Sequence, residues 1–175
     1  MTKSLDLGSG ITPKNPFNAK EVFGIDIREE ISNAIFKADL VVDPIPFENN
    51  SLDYVTAHDF LEHIPRLLYR PNRTHPFINL MNEIYRVLKP SENGGLFYSI
   101  TPCFPFGDAW RDPTHVNIIS DETFPLYFDN KNRWAAMYGF TGAFEIIEQK
   151  ITGHHLEALL KKVPEKDIIQ HTIYG

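Results

Sequence analysis

The sequence predicts an α/β fold, a doubly wound sheet that is mostly parallel and ends in a C-terminal antiparallel hairpin strand. Three observations lead there. Short apolar runs alternate with helical segments over residues 4–101, the pattern of strands joined by crossovers. A glycine-rich bend, Gly8 to Gly10, follows the first apolar run directly. Two later runs, Phe144 to Glu148 and Leu156 to Leu160, are joined near Gly153 and read as a pair of strands.

The first strand begins at about Ser4, with no leading helix or N-terminal subdomain expected, and the second, Val22 to Asp26, ends on a carboxylate. Between them Pro13 and Pro16 argue against a regular helix, because each removes an amide donor and restrains the residue before it. Glu29 to Phe36 is read as a short helix and Lys37 to Leu40 as the edge of a third strand. Pro44 and Pro46 mark a loop, and Leu52 to Ala57 reads as a fourth, largely buried strand. A helix starts in Asp59 to His63 and is interrupted by Pro65, and the basic stretch Arg66 to His75 is an exposed loop. Phe77, Leu80, Met81, Ile84, Val87 and Leu88 recur at helical spacing and predict an amphipathic helix ending before Pro90. Gly94 and Gly95 turn the chain into a fifth strand, Leu96 to Ile100. Pro102 to Phe128 has no clean period and is rich in Pro, Gly and aromatics, which predicts a long functional loop with a short helix near Glu122 to Phe128.

At 175 residues and 20.1 kDa the chain is large enough for one domain with a substantial core. A hydrophobic share of 42% and a charged share of 23% are those of an ordinary globular protein and exclude a disordered one. The net charge of −6 and the lack of any dense Lys/Arg run argue against nucleic acid as the main partner. No apolar run approaches the ~20 residues of a membrane span, and Met1 to Lys3 leads into a strand rather than a signal sequence, so a cytoplasmic location and no membrane partner are expected. Cys103 is the single cysteine, which excludes an intramolecular disulfide and argues against a cysteine metal site.

Gly8 and Gly10 let a ligand press against the backbone, and Asp26 stands at the strand tip where ribose hydroxyls are held. Together they suggest an adenosine-containing cofactor at the carboxyl edge of the sheet, although a plain tight turn explains the glycines equally well. A dinucleotide pyrophosphate would need a helix N-terminus directly after the glycines, and the prolines deny it one.

In series the motifs are more specific. Leu5 to Gly10, Gly24 to Ile27, Ala38 to Leu40, Ile45 to Val55, Phe60 to Ile64, Tyr85 to Pro90 and Gly94–Gly95 closely resemble, in that order, class I S-adenosylmethionine-dependent methyltransferases, over about residues 4–101. The resemblance implies a Rossmann-like fold and a single methyltransferase domain over 1–175, with a cofactor half of about 1–101, an acceptor loop of about 102–130 and C-terminal strands of about 144–163. It implies S-adenosylmethionine as cofactor, its methionine end lined by Asp6, Gly8, Ser9 and Gly10 and bordered by Ala57 and His58. Asp26 would hold the ribose hydroxyls, with Ile27 against the adenine. Asp39 and Leu40 would meet the adenine edge, Asp43 being the competitor for the role of Asp39. The chain departs from the family pattern in lacking an N-terminal helical cap, in the Pro13/Pro16 loop, and in Ser91 to Asn93, which interrupt the Lys-Pro-Gly-Gly turn. The second departure is tolerable because a sulfonium cofactor carries no phosphate.

Methyl transfer requires alignment of nucleophile and methyl group, and removal of a proton from a hydroxyl acceptor. The candidate base is His115, in the Trp110 to Val116 segment that follows the fifth strand, with Asp112 either orienting it or binding a sugar hydroxyl. This Asp-Pro-x-His loop is loosely similar to one in small methyltransferases of polysaccharide or sugar modification. The plain alternative has Asp112 capping the turn before Pro113 and His115 packing against Trp110 or Phe124. Asp59, Glu62 and His63 invite a metal reading, but Leu-Glu-His resembles the family's helix framework and no metal is assigned. His154 and His155 lie near a strand start without an evident partner. Phe104, Phe106, Trp110, Phe124, Tyr127 and Phe128 wall an acceptor pocket or form the core of the loop, and Arg66, Arg70 and Arg73 are read as a solvated loop. The expected function is O- or N-methylation of a small polar acceptor, a sugar or related metabolite. The alternatives are a non-catalytic S-adenosylmethionine-binding partner subunit and, behind it, a nicotinamide-dependent oxidoreductase. A homodimer whose second subunit covers the substrate is open.

Overall fold

The computed structural model describes residues 1–28, 34–69, 71–90 and 95–170. Seven strands, β1 (Lys3–Leu7), β2 (Glu21–Asp26), β3 (Ile35–Lys37), β4 (Tyr54–His58), β5 (Leu96–Pro102), β6 (Phe144–Thr152) and β7 (His155–Lys162), form one sheet in the order β3-β2-β1-β4-β5-β7-β6. The first five are parallel, and β7 runs antiparallel between β5 and β6. The strand order reverses beside β1: the chain steps outward from β1 through β2 to β3, then returns to place β4 and β5 on the other side. Loops leaving β1 and β4 therefore diverge, and a crevice opens at the carboxyl edge between them.

Parallel registry divides the central strands into two faces. Leu5, Leu7, Val55, Ala57 and Phe97 are fully buried and join one apolar core with Phe77, Leu80, Met81, Ile84 and Val87 of helix α1 (Pro76–Val87). Each large side chain removed from water in this way contributes about 1.5–3 kcal/mol. Pro76 opens α1 where a missing amide costs nothing, and the helix gives way at Leu88 to extended backbone before Pro90. The alternate residues Ser4, Asp6, Tyr54, Thr56 and Tyr98 share the opposite face by register. Residues 9–20 cover part of it without forming a helix, as the two prolines require: Phe17 stacks on Tyr54 with ring centroids 4.4 Å apart, and the Lys14 amide donates to Asp6 Oδ2 at 2.8 Å.

Several boundaries differ from expectation for local reasons. The short helix expected over Glu29 to Phe36 falls mostly outside the described residues, and Ile35 and Phe36 belong to β3. That strand stops at Lys37, not Leu40, because the Val42 and Asp43 amides both donate to the Asp39 carbonyl and close a turn. In place of a helix over Asp59 to His63 there is a single 3₁₀ turn, Leu61–His63, since Asp59 takes a left-handed φ of 48°. The hairpin strands are longer than read from sequence. The 102–130 segment holds two short helices, α2 (Asp108–Arg111), which was not anticipated, and the expected α3 (Thr123–Tyr127). Among the described residues, no helix is long and apolar enough to cross a membrane.

Candidate active site

At the carboxyl edge of β1, Gly8 takes φ 65° and Gly10 φ 59°, left-handed values that favour glycine. A Cβ on Gly8 would lie 2.4 Å from the Phe60 ring, so the bend passes closer to the turn after β4 than any other residue permits. The bend is held from below: the Ser9 amide donates to the Ile25 carbonyl at 3.0 Å, and the Gly10 amide donates to Asp26 Oδ2 at 2.9 Å.

A cavity of about 370 Å³ opens here, lined in part by Gly8, Asp26, Ile27, Asp39, Leu40 and Phe60. Five of the expected cofactor residues therefore meet on one wall. Ser9 and Gly10 form the bend beside it. Asp6 and His58 stand behind the bend. Asp6 is buried, accepts from Thr56 Oγ1 at 2.7 Å and from the Lys14 amide, and lies 3.5 Å from His58 Nδ1. Its carboxylate thus satisfies the loop that replaces a helix. Asp39 lines the cavity, whereas Asp43 turns away to accept from the Asp39 amide at 2.9 Å. Among these carboxylates, Asp39 and not Asp43 faces the cavity.

Asp26 carries the most perturbed chemistry of this wall. Arg28 grips it with its guanidinium, Nε to Oδ1 at 2.8 Å and Nη2 to Oδ2 at 3.0 Å, and its amide also donates to Oδ1. That fork holds the Asp26 carboxyl at about 2, well below the usual carboxylate range. Arg28 is largely solvated while Asp26 is buried. The ion pair is therefore open to solvent on its Arg28 side, which weakens it, and Arg28 marks a residue the sequence reading missed.

These residues fit an adenosyl sulfonium cofactor. A buried carboxylate matches vicinal hydroxyls, a second carboxylate beside Leu40, Ala38 and Ile27 matches a purine edge with its exocyclic amine, and the glycine bend leaves room for close approach. The one guanidinium on the wall is spent on Asp26, so no cationic cradle for a pyrophosphate is present among the described residues.

The far wall of the cavity is formed by Asp59, Phe60, His63 and Ile64, none of them assigned to the cofactor from sequence. His63 links the cavity to a second cluster, because its ring lies edge-on to His115 with centroids 4.9 Å apart. Glu62, between the cavity wall and the loop, is 1% exposed; its Oε2 accepts from Thr101 Oγ1 at 2.8 Å, and its Oε1 has no hydrogen-bond partner. Burial pushes the Glu62 carboxyl up from its ordinary value. The Glu62 carbonyl receives the amides of Val116 and Asn117, which pins the loop to the turn.

Asp112 does not bond to the His115 ring. Its Oδ1 accepts from the Thr114 amide at 2.8 Å and from Thr114 Oγ1 at 2.6 Å, and Thr114 Oγ1 lies 3.1 Å from His63 Nδ1. Asp112 thus closes the turn and reaches His63, not His115, through a hydroxyl. The aromatics divide: Phe124 and Phe128 are core, Phe106 stacks on His154, Tyr127 lines a separate cavity of about 580 Å³ with Trp134 and Tyr138, and Phe104 and Trp110 are exposed. His154 and His155 do find partners, in Asp108 and Asp59 at 3.2 Å each. Arg66 is not a solvated residue: it donates to Asn117 Oδ1 at 2.7 Å and to the Ile118 carbonyl, while Arg73 is exposed and Arg70 lies outside the described residues. Cys103 is buried and its thiol is pushed up, which suits a core residue and not a nucleophile.

Comparison with known proteins bears on the family and the fold. The methyltransferase domain family matches residues 5–98. No curated protein matches the chain. Among solved structures, a chain of the complex between the Haloferax volcanii Trm112 methyltransferase activator and a methyltransferase is similar, with TM-score 0.58 and 14% identity over 93% of this chain and 83% of that one. An S-adenosylmethionine-dependent methyltransferase from Aquifex aeolicus gives TM-score 0.54 and 16% identity over 93% and 82%. Haemonchus contortus phosphoethanolamine N-methyltransferase 1, in complex with phosphoethanolamine and S-adenosylhomocysteine, gives TM-score 0.59 and 14% identity over 98% of this chain but 41% of that one. With the family matched over more than half of the chain and the strand order of the fold, the chain belongs to the class I methyltransferases, an enzyme family whose cofactor is S-adenosylmethionine.

Proposed function

We propose that the chain transfers a methyl group to a hydroxyl or amine of a small polar acceptor of the sugar class, brought to the loop around His115. The observation that carries this reading is that one wall residue, His63, faces both the cavity holding Asp26 and Asp39 and the Glu62–His115 cluster. When bound, S-adenosylmethionine supplies an activated methyl on a positively charged sulfur. Asp26 binds the ribose hydroxyls in place of the Arg28 fork, Asp39 accepts from the adenine amine, and Gly8, Ser9 and Gly10 line the methionine end in front of Asp6 and His58. Glu62, His63 and His115 gather where an acceptor would lose its proton. The exposed Trp110 indole and Asp112 carboxylate precede His115 in the same loop, and such groups stack on a sugar ring and bind its hydroxyls.

Calorimetry with S-adenosylmethionine tests the cofactor half. Asp26→Ala is expected to weaken binding at least tenfold, whereas Arg28→Ala, which frees the carboxylate, binds at least as tightly as the wild type. Radiolabelled methyl transfer across a panel of sugars and amines tests the acceptor half: His115→Ala loses transfer and retains cofactor binding. Tighter binding of a nicotinamide dinucleotide, or unchanged transfer by His115→Ala, would overturn the reading.

A further inference from the structure

We propose that Glu62, His63 and His115 form a binding site for a divalent first-row transition-metal ion at the boundary between the cofactor cavity and the acceptor loop. Their ligand atoms all lie within 4.8 Å of one another. Ligand atoms on one side of an ion at ~2.1 Å lie roughly 3.0–3.4 Å apart, so rotation of the two partly buried imidazoles must draw the set in by up to about 1.5 Å.

What marks the cluster is how its hydrogen bonds are distributed. Glu62 is 1% exposed, and a buried carboxylate oxygen without a donor is costly. Thr101 satisfies Oε2 and nothing satisfies Oε1. His115 Nδ1 is likewise buried and without a partner. Two orphaned atoms therefore belong to two members of one three-residue cluster. An ion between them would answer both.

His63 is set up differently and to the same end. Its Nδ1 lies 3.3 Å from the Thr114 carbonyl and 3.1 Å from Thr114 Oγ1. A carbonyl can only accept, so Nδ1 carries the proton and Nε2 keeps its lone pair. The Thr114 hydroxyl donates its hydrogen bond to Asp112 Oδ1 at 2.6 Å, leaving its oxygen free to accept from His63. Asp112, Thr114 and His63 thus form a carboxylate–hydroxyl–imidazole chain, the outer arrangement that fixes the tautomer of a metal-binding histidine. This gives Asp112 a positioning role toward His63.

Two imidazoles and one carboxylate on one side of an ion leave positions open for further ligands, and nitrogen donors favour zinc, manganese, cobalt or iron over magnesium or calcium. Asp59, which the sequence places one turn before His63, is not part of the set: it is exposed and paired with His155. The role of the ion rests on the methyl-transfer reading above. An acceptor hydroxyl bound at an open position would lose its proton to solvent water more readily, because the cation stabilises the oxygen anion that remains. The site itself stands without that reading.

The test uses the full chain, stripped with chelator and titrated with Co²⁺, whose visible absorption reports coordination by nitrogen and oxygen. One equivalent per chain should bind, with Zn²⁺ competing and Mg²⁺ failing to compete at equal concentration. Glu62→Gln and His115→Ala should each weaken Co²⁺ binding by more than tenfold, and Thr114→Val, which removes only the outer hydroxyl, by about tenfold. S-adenosylmethionine calorimetry on the same stripped proteins shows that each variant is folded and separates the two claims. Cobalt binding without cofactor binding would sink the methyl-transfer reading alone. Cofactor binding with no stoichiometric cobalt, or with cobalt unaffected by Glu62→Gln and His115→Ala, would overturn the metal site.

Discussion

Replacing Gly8 by alanine tests the bend that shapes the cofactor wall. At φ 65° an alanine sits in the left-handed region, at a cost of roughly 1–2 kcal/mol. Its Cβ would also stand 2.4 Å from Phe60 Cδ2 and 2.9 Å from Cγ, an overlap the bend or the ring must relieve by moving. Overpacking of this kind costs about 1–3 kcal/mol, so Gly8→Ala should destabilise by about 2–5 kcal/mol in total. At ~2–4 °C per kcal/mol for a chain of this size, the melting midpoint should fall by roughly 4–20 °C. Because Phe60 is itself part of the cavity wall, its displacement should also weaken S-adenosylmethionine binding. The two contributions separate in a double-mutant cycle. A Phe60→Ala background removes the ring contacts at 2.4 and 2.9 Å and leaves only the Phe60 Cβ at 3.2 Å, so the backbone cost of about 1–2 kcal/mol and a small remainder persist, with a coupling of up to about 1–3 kcal/mol. Thermal melts of the four proteins, with cofactor calorimetry on each, measure it. A Gly8→Ala protein with wild-type midpoint and affinity, or a cycle with no coupling, would refute the geometry argued for the bend.

Two further predictions concern pH. The Asp26 carboxyl is depressed to about 2 in the folded chain, so its contribution to stability is complete above the ordinary value near ~3.9 and is lost as pH falls toward 2. Solvation of Arg28 trims the full linkage value, and acid titration of wild type against Asp26→Asn should show a difference on the order of 1–2 kcal/mol disappearing in that window. Lys162 shifts in the sense that burdens the fold: only 4% exposed, it donates to Asn50 Oδ1 and the Leu88 carbonyl at 2.7 Å each, and burial brings its ammonium down to about 8. From pH 8 upward the unfolded chain keeps a proton that the folded one has released, so stability rises with pH. Relative to Lys162→Met, the wild type should gain on the order of 2 kcal/mol between about pH 8 and 10 in urea unfolding, and a constant difference would contradict it.

The fold was legible because its signals are local. Apolar runs, the spacing of Phe77 to Leu88, and the stops at Pro13, Pro16 and Pro90 each act within one element, and strand order follows from chain order in a doubly wound sheet. The convergence of Gly8, Asp26 and Asp39 on one cavity was legible for a related reason: each stands at or just past the end of a parallel strand, and those ends lie along one edge of the sheet. What escaped the sequence depends on approach between distant segments. Phe60 matters through the missing Cβ of Gly8, and Thr114 through His63, 51 residues away. Arg28 is two residues from Asp26, yet only the backbone turn after β2 folds its fork back. Asp112 and His115 share one loop, but the partner of Asp112 could not be read, because a single intervening hydroxyl redirects it to another histidine.

The 3₁₀ turn Leu61–His63 explains why so small a loop can hold a site without a long helix beneath it. The Glu62 carbonyl lies at the end of the turn, just before Pro65, where no helical ladder would supply it with an amide. The left-handed Asp59 and the short turn leave that carbonyl free, and it takes the amides of Val116 and Asn117. The adjoining Asn117 side chain donates to the Leu61 carbonyl at 3.0 Å and accepts from Arg66, so the loop is tied to the turn through backbone and side chain alike. With the loop fastened there, the spacing between Glu62, His63 and His115 is set by hydrogen bonds from both backbone and side chain. His63, one residue on, faces the cavity of Asp26. The distance between the cofactor wall and the His115 loop is therefore fixed within three consecutive residues, and any change in that turn must move both halves of the site together.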